Sequence, residues 1–277
     1  MNSAVKSLIP AQPAPPAEPK RWTPSRVTGW ILVLLWTGAG IGLVVYLYSA
    51  WDIGKIGKYG PKFLSGLWTT LSLVGISVAL GAVLSLPVAI GRMSRNRLLA
   101  RLAFAYVYIF RGTPLLAQLY LVYYGLGSFN QQLETVGLWW FFRDAWNCAL
   151  FAFTLNTAAY QAEILRGAIE SVPRGQWEGA AALGLNRAQT FRKIILPQAL
   201  IVALRPYGNE IVLMLKGSAI VALVSVLDLM GETRRAYSRT YDFQVYLWAA
   251  VFYFALVQTL QNVWNRLEAR LTRHLKR

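Results

Sequence analysis

Six long stretches of the chain are apolar and almost free of charge, and they limit what the chain can fold into. They run approximately through residues 28–48, 63–91, 98–125, 146–166, 200–226 and 245–264. Each has roughly the 20 residues that an α-helix needs to cross a bilayer. Only 14% of all residues are charged, against about a quarter in soluble domains. The sequence therefore predicts an all-α membrane protein with about six transmembrane helices.

The basic residues indicate the orientation of these helices. If the N-terminus is cytoplasmic, 18 of the 28 lysines and arginines lie in cytoplasmic segments and 7 in the opposite segments. Because cytoplasmic loops are enriched in positive charge, we expect both termini in the cytoplasm. The net charge of +16 does not indicate nucleic-acid binding, since the basic residues form short clusters between apolar spans. The Pro- and Ala-rich residues 1–27 are expected to be a disordered cytoplasmic tail.

Between the fourth and fifth spans lies an unusual segment, WEGAAALGLNRAQTFRKIILPQAL, residues 177–200. Glu178 stands near a predicted helix start, where a carboxylate suits the helix dipole. Ala180, Ala181 and Ala182 add almost no side-chain bulk, and Gly184 permits a sharp turn. Such a helix allows another protein to approach closely. The same pattern also fits a helix that lies flat on the membrane surface.

This segment resembles the EAA motif of bacterial ABC-importer permeases, which consists of E-A-A, three residues, G, nine residues and I-x-L-P. The matching residues are Glu178, Ala181, Gly184, Ile194, Leu196 and Pro197, while Gly179 stands where the pattern prefers alanine. Residues 110–125, 154–180 and 196–220 also resemble the polar amino-acid permeases, in particular the histidine, arginine, ornithine and opine branch.

The resemblance implies a fold, partners and a location. It implies a five-helix type I importer core over residues 60–270, with residues 28–48 as an extra N-terminal helix, in the bacterial inner membrane. The segment at 177–197 would be the coupling helix, with its contacts made by Glu178, Gly179, Ala180, Ala181, Gly184 and Pro197. The implied partners are a separate ATPase subunit, a second permease subunit in a heterodimer or a homodimer, a periplasmic amino-acid-binding protein and membrane lipid. No cofactor is expected on this chain, and ATP and Mg would bind the ATPase.

Polar side chains inside the fourth span are candidates for a substrate pathway, because such groups usually face a cavity or a partner. Asn156, Tyr160 and Glu163 have the spacing of one helical face, with Thr157 and Gln161 beside them. Glu163 would meet a cationic solute, or it would pair with Arg166 or Arg111.

The fifth span and the third span supply the other candidates. Asn209 and Glu210 follow RPYG, a proline and glycine pair that we expect to loosen the helix. Glu210 would meet a cationic solute, form hydrogen bonds across a subunit interface, or be neutralised by Lys216. In the third span, RGTP at 111–114 predicts a broken helix. Arg111 would bind a substrate carboxylate or form a structural ion pair.

Two classes of transporter remain open. The first is a permease subunit that imports polar, in particular basic, amino acids and is driven by a separate ATPase, since the sequence contains no G-x-x-x-x-G-K-[ST] motif. The second is an ion-coupled secondary carrier, a class that often has a mirrored internal repeat, and we see no such repeat here. A membrane enzyme is disfavoured because no cluster of His, Ser or metal ligands is visible.

Overall fold

The structure is a computed structural model that describes residues 22–49 and 53–273, and the regular elements within these ranges are all helices. The first six are α1 (Pro24–Ser49), α2 (Ile53–Arg92), α3 (Arg97–Gly112), α4 (Leu115–Tyr120, continued by a π-helical turn at Leu121–Gly125), α5 (Asn130–Thr135) and α6 (Trp139–Phe142). The others are α7 (Ala145–Glu170), α8 (Arg174–Ala182), α9 (Arg187–Thr190, continued by a π-helical turn at Phe191–Ile195), α10 (Leu196–Gly217, continued by a 3-10 helix at Ser218–Val224), α11 (Leu229–Thr240) and α12 (Gln244–Leu271).

The first helix corrects the predicted tail. It begins at Pro24, inside the range 1–27 that we expected to be disordered. Proline is a favourable residue for the first turn of a helix. Residues 1–21, the rest of that tail, lie outside the described residues. Helix α1 belongs to one unit of the chain, and the helices from α2 to α12 belong to a second, larger one.

Within the described ranges, three helical segments are long and apolar enough to cross a membrane: Pro24–Ser49, Gly57–Arg92 and Arg187–Val224. A fourth is the pair Arg97–Gly112 and Leu115–Gly125, which is bent by 105° at the predicted break. Helices α7 and α12, with 26 and 28 residues, are long enough but less apolar. The crossings by α7 and α12 therefore stay a prediction.

Helix α7 is the centre of the larger unit and buries more residues than any other described helix. It runs alongside α2 in the same direction. Phe153 near the start of α7 shares a buried cluster with Leu73, and Leu165 near its end shares another with Ala89. Three of the polar residues that lower the apolarity of α7, Asn156, Thr157 and Gln161, are buried inside the unit.

Close packing of α2 on α7 depends on Gly81. A Cβ atom at this position would lie 2.5 Å from Cγ2 of Thr157 and 3.0 Å from Nε2 of Gln161. We expect Gly81→Ala to lower the free energy of unfolding by about 1–3 kcal/mol through overpacking. Gly75→Ala is the matched control, because nothing lies within 4 Å of a Cβ at Gly75 in the same helix. Thermal unfolding in detergent measures both, and equal melting temperatures would contradict the prediction.

Helix α10 corrects a second expectation. It runs through Pro206 and Gly208 without a break, so the loosening predicted from RPYG is wrong at the level of helix continuity. The indole of Trp264 packs directly on Gly208, and its Nε1 donates a hydrogen bond to the carbonyl oxygen of Leu204 at 2.8 Å. This contact packs α12 against α10 next to the proline.

Candidate functional site

Helix α8, which carries the small-residue segment, is exposed over most of its surface. Glu178, Gly179 and Ala181 are exposed, and so is Pro197 in the first turn of α10. Ala180 is the one buried residue of α8. Ala180 therefore does not share the accessible surface of Ala181 and Ala182, because a helix turns about 100° per residue and directs this alanine inward.

The turn after α8 is built around Gly184, whose φ of +74° lies in the left-handed region. The N–H of Gly184 donates to the carbonyl of Ala181 at 3.0 Å, and the N–H of Leu185 donates to that of Ala180 at 3.1 Å. These two bonds form a Schellman motif, in which glycine is the favoured residue at this position. The turn leaves Leu183 80% exposed.

The exposed helix is nevertheless held firmly. Trp177 packs on the buried cluster that contains Val172 and Ile195. Gln198 of α10 donates a hydrogen bond from Nε2 to Oε1 of Gln176 at 3.3 Å. A capping box between Asn186 and Gln189 starts α9 directly after the turn. Together these contacts fix α8 to the rest of the unit and leave Ala181 and Leu183 on its exposed side.

The break between α3 and α4 confirms the prediction from RGTP, and two amides stabilise it. Gln118 donates from Nε2 to the carbonyl of Phe110 at 2.8 Å and to the hydroxyl of Thr113 at 2.8 Å. Asn156 of α7 donates to the same Phe110 carbonyl at 3.1 Å and to Oε1 of Gln118 at 3.0 Å. Both amides thus satisfy backbone groups that the break would leave without partners.

Glu163 is the centre of an ion cluster. Its carboxylate accepts from Nε of Arg92 at 2.9 Å and from Nη2 of Arg166 at 2.8 Å. Nη1 of Arg111 lies 3.9 Å from the same carboxylate. Arg166 also binds Glu170 at 2.6 Å. The ion pairing with Arg166 and Arg111, one of the two alternatives left open by the sequence, is present, and Arg92 joins it.

A cavity of about 420 Å³ lies between α3, α7 and α10 next to this cluster. Its walls are formed by Arg111, Tyr160, Glu163, Ile164, Gly167, Ala168, Val202, Ala203 and Pro206. A second cavity of about 460 Å³ lies on the α2 and α3 side and shares Arg111 and Glu163 with the first. Their size is in the range of small-molecule sites, about 300–1,000 Å³. Three predicted pathway residues, Arg111, Tyr160 and Glu163, therefore meet here.

Glu210 lies apart from the cavity walls, buried at 6% exposure. Thr157 donates to its Oε1 at 3.1 Å, and Nε2 of Gln161 donates to the Thr157 hydroxyl at 3.1 Å. Lys216 is exposed and forms no ion pair with Glu210 within the part of the chain that the structure describes. Asn209 points away from this buried group, since its side chain is exposed.

Three residues that matter to this arrangement, Arg92, Gln118 and Leu183, were not among the candidates predicted from the sequence. Arg92 was counted only as a cytoplasmic charge, although a basic residue at the end of a span next to a polar helix is a reasonable partner for Glu163. Gln118 in the middle of an apolar span was a visible signal, because a lone amide there needs a partner. Leu183 had no signal, since an isolated leucine in a helix usually indicates a buried position.

Comparison with known proteins gives consistent matches. A family model described as "binding-protein-dependent transport system inner membrane component" matches residues 77–274. The nopaline transport system permease protein NocM of Agrobacterium fabrum is 41% identical over 226 residues, which are 81% of this chain and 94% of that protein. The histidine/lysine/arginine/ornithine transport system permease protein HisM of Escherichia coli K12 is 41% identical over 78% of this chain and 91% of its own length.

A solved structure has the same fold. It is the crystal structure of an amino acid ABC transporter with histidines, with a TM-score of 0.70 and 36% sequence identity. The match covers 80% of this chain and 99% of the other.

Proposed function

The chain belongs to the family of binding-protein-dependent inner-membrane transport components, and from this premise we propose that it imports polar amino acids with energy from ATP hydrolysed by a separate subunit. As a member of this family it is a multi-pass inner-membrane permease subunit of an ABC importer. The ATP-driven coupling, the substrate and the identity of the partners are the steps that we infer.

The observation that carries the coupling proposal is the exposed α8 and its turn. Ala181 and Leu183 present a small, partly apolar surface that is exposed in the described chain. The sequence has no nucleotide-binding loop of its own. We therefore assign α8 as the surface that binds the ATPase, together with Glu178, Gly179, Gly184 and Pro197. ATP and Mg bind that partner and not this chain.

The substrate proposal rests on the relatives and on the cavity. The two permeases at 41% identity are named for nopaline and for histidine, lysine, arginine and ornithine. The cavity beside Arg111 and Tyr160 has the volume of a small solute. We infer that this chain carries a polar amino acid with a basic side chain, or an opine conjugate of one. Glu210 and Asn209 as substrate contacts stay predictions.

The proposed assembly has two permease chains, because the described part of one chain is small for a complete pathway. This chain would form a heterodimer with a second permease. The other components would be the ATPase and a periplasmic amino-acid-binding protein, which delivers the solute. The excess of lysine and arginine in the predicted inside segments supports cytoplasmic termini.

Reconstitution distinguishes this proposal from an ion-coupled carrier. Proteoliposomes containing this chain and its second permease are loaded with ATP and tested with and without the ATPase subunit, using radiolabelled arginine and the binding protein. We expect uptake only when the ATPase is present, with at least a tenfold difference, because the sequence contains no G-x-x-x-x-G-K-[ST] motif. A sodium or proton gradient is imposed as the control. Equal uptake under that gradient without ATPase would overturn the proposal in favour of a carrier.

A further inference from the structure

Glu163 and Glu210, the two acidic residues predicted for the substrate pathway, have hydrogen-bond partners within the chain. Both oxygens of Glu163 accept hydrogen bonds from arginines: Oε1 from Arg92 and Arg166, and Oε2 from Arg166 at 2.8 and 3.2 Å. Glu210 is buried behind Thr157 and does not line the cavity. A cationic side chain that enters the cavity therefore meets no free carboxylate among its lining residues.

Arg111, in contrast to these carboxylates, is not hydrogen-bonded to a partner within the described residues. Its side chain is 43% exposed, and its nearest carboxylate oxygen is 3.9 Å away, which is beyond hydrogen-bonding distance. Its guanidinium lies over the ring of Tyr160, 5.1 Å from the centroid. The Tyr160 ring and Glu163 thus orient the guanidinium while its N–H groups remain available as hydrogen-bond donors.

Both cavities are bordered by Arg111, so a solute that moves from one to the other passes this guanidinium. A guanidinium fork matches a carboxylate in two parallel hydrogen bonds, which a point charge such as lysine cannot do. The rest of the wall is largely aliphatic, from residues such as Ile164 and Val202. Such a wall accepts side chains of varied chemistry while the carboxylate is held.

We propose that Arg111 is the carboxylate subsite of the translocation cavity, and that this chain recognises its solute by the carboxylate rather than by the basic side chain. The inference rests on the proposed function as an amino-acid importer. Recognition of the basic side chain would then take place elsewhere in the assembly. It also accommodates a conjugate with a second carboxylate, because neither cavity presents a free anionic group that would repel it.

The test is ligand binding to the purified complex of both permease chains and the ATPase, without binding protein, so that delivery does not bias the result. Thermal stabilisation and isothermal titration are measured with L-arginine and with agmatine, which is arginine without its carboxylate. We expect the wild type to bind arginine and to bind agmatine about tenfold to a hundredfold more weakly, the range given by a hydrogen bond to a charged group. Equal binding of the two ligands would overturn the proposal.

Variants locate the effect on this residue. Arg111→Gln is expected to lower arginine affinity by at least tenfold and to remove the preference over agmatine, while Arg111→Lys, which keeps the charge but not the fork, retains an intermediate preference. Arg101→Gln removes the same charge from an exposed position on the same helix and should leave binding unchanged. Unaltered preference in Arg111→Gln would refute the subsite but leave the importer function intact. Failure of wild-type uptake with the ATPase present would instead refute the function.

Discussion

Replacing Glu163 with alanine is expected to lower the free energy of unfolding by about 3 kcal/mol. The carboxylate is 14% exposed and binds Arg92 and Arg166, which are 17% and 27% exposed. Removal of one partner from a largely buried ion pair leaves the other charge uncompensated and typically costs about 3–5 kcal/mol. We use the lower end because the arginines retain some contact with solvent. Thermal or denaturant unfolding of the intact complex in detergent measures the change.

Glu170 provides the control for this prediction. It binds the same Arg166 at 2.6 Å but is 54% exposed, so Glu170→Ala should cost only about 0–1 kcal/mol. In an Arg92→Leu background, Glu163→Ala should cost less than in the wild type, because the two residues are in direct contact. If Glu163→Ala abolished uptake of basic solutes while leaving stability unchanged, Glu163 would be a substrate contact and the structural role would be wrong.

Local signals in the sequence were sufficient for several features of this molecule. The break at RGTP and the left-handed turn at Gly184 are properties of proline and glycine, whose backbone limits and freedoms do not depend on distant residues. The shared face of Asn156, Tyr160 and Glu163 follows from helical periodicity, and all three do lie on the side of α7 that meets α3.

Other features depend on contacts that local patterns do not contain. Arg92 and Glu163 are 71 residues apart in the chain, so their pairing follows from the packing of α2 on α7. Asn156 has a side chain that could contact a substrate, but its amide instead donates hydrogen bonds to Phe110 and Gln118 at the break between α3 and α4. Pro206 lies inside a continuous helix, and Trp264 from the distant α12 packs beside it on Gly208. In each case the structure depends on a contact with a residue distant in the sequence, which the local sequence pattern does not reveal.

Replacing Ala181 with tryptophan is expected to reduce ATP hydrolysis coupled to transport at least tenfold while leaving the fold intact. Ala181 is exposed on α8, so the larger side chain should change the stability of the chain by no more than about 0.5 kcal/mol. In a closely packed interface the same side chain would prevent the approach of the ATPase, and a disrupted central contact typically costs about 2 kcal/mol or more. Substrate-stimulated ATPase activity of proteoliposomes and the melting temperature are measured together.

Three further variants separate a blocked interface from a distorted turn. Ala188→Trp places the same bulk on an exposed alanine of α9, outside α8, and should retain coupling. Gly184→Asn keeps a residue that tolerates the left-handed conformation, whereas Gly184→Trp forces a bulky side chain into a φ of +74° although no atom lies within 4 Å of its Cβ. We therefore expect Gly184→Trp to lose both stability and coupling, and Ala181→Trp to lose coupling alone. Normal coupling in Ala181→Trp would show that α8 does not bind the ATPase, because an exposed helix that tolerates such bulk has no partner packed on that face.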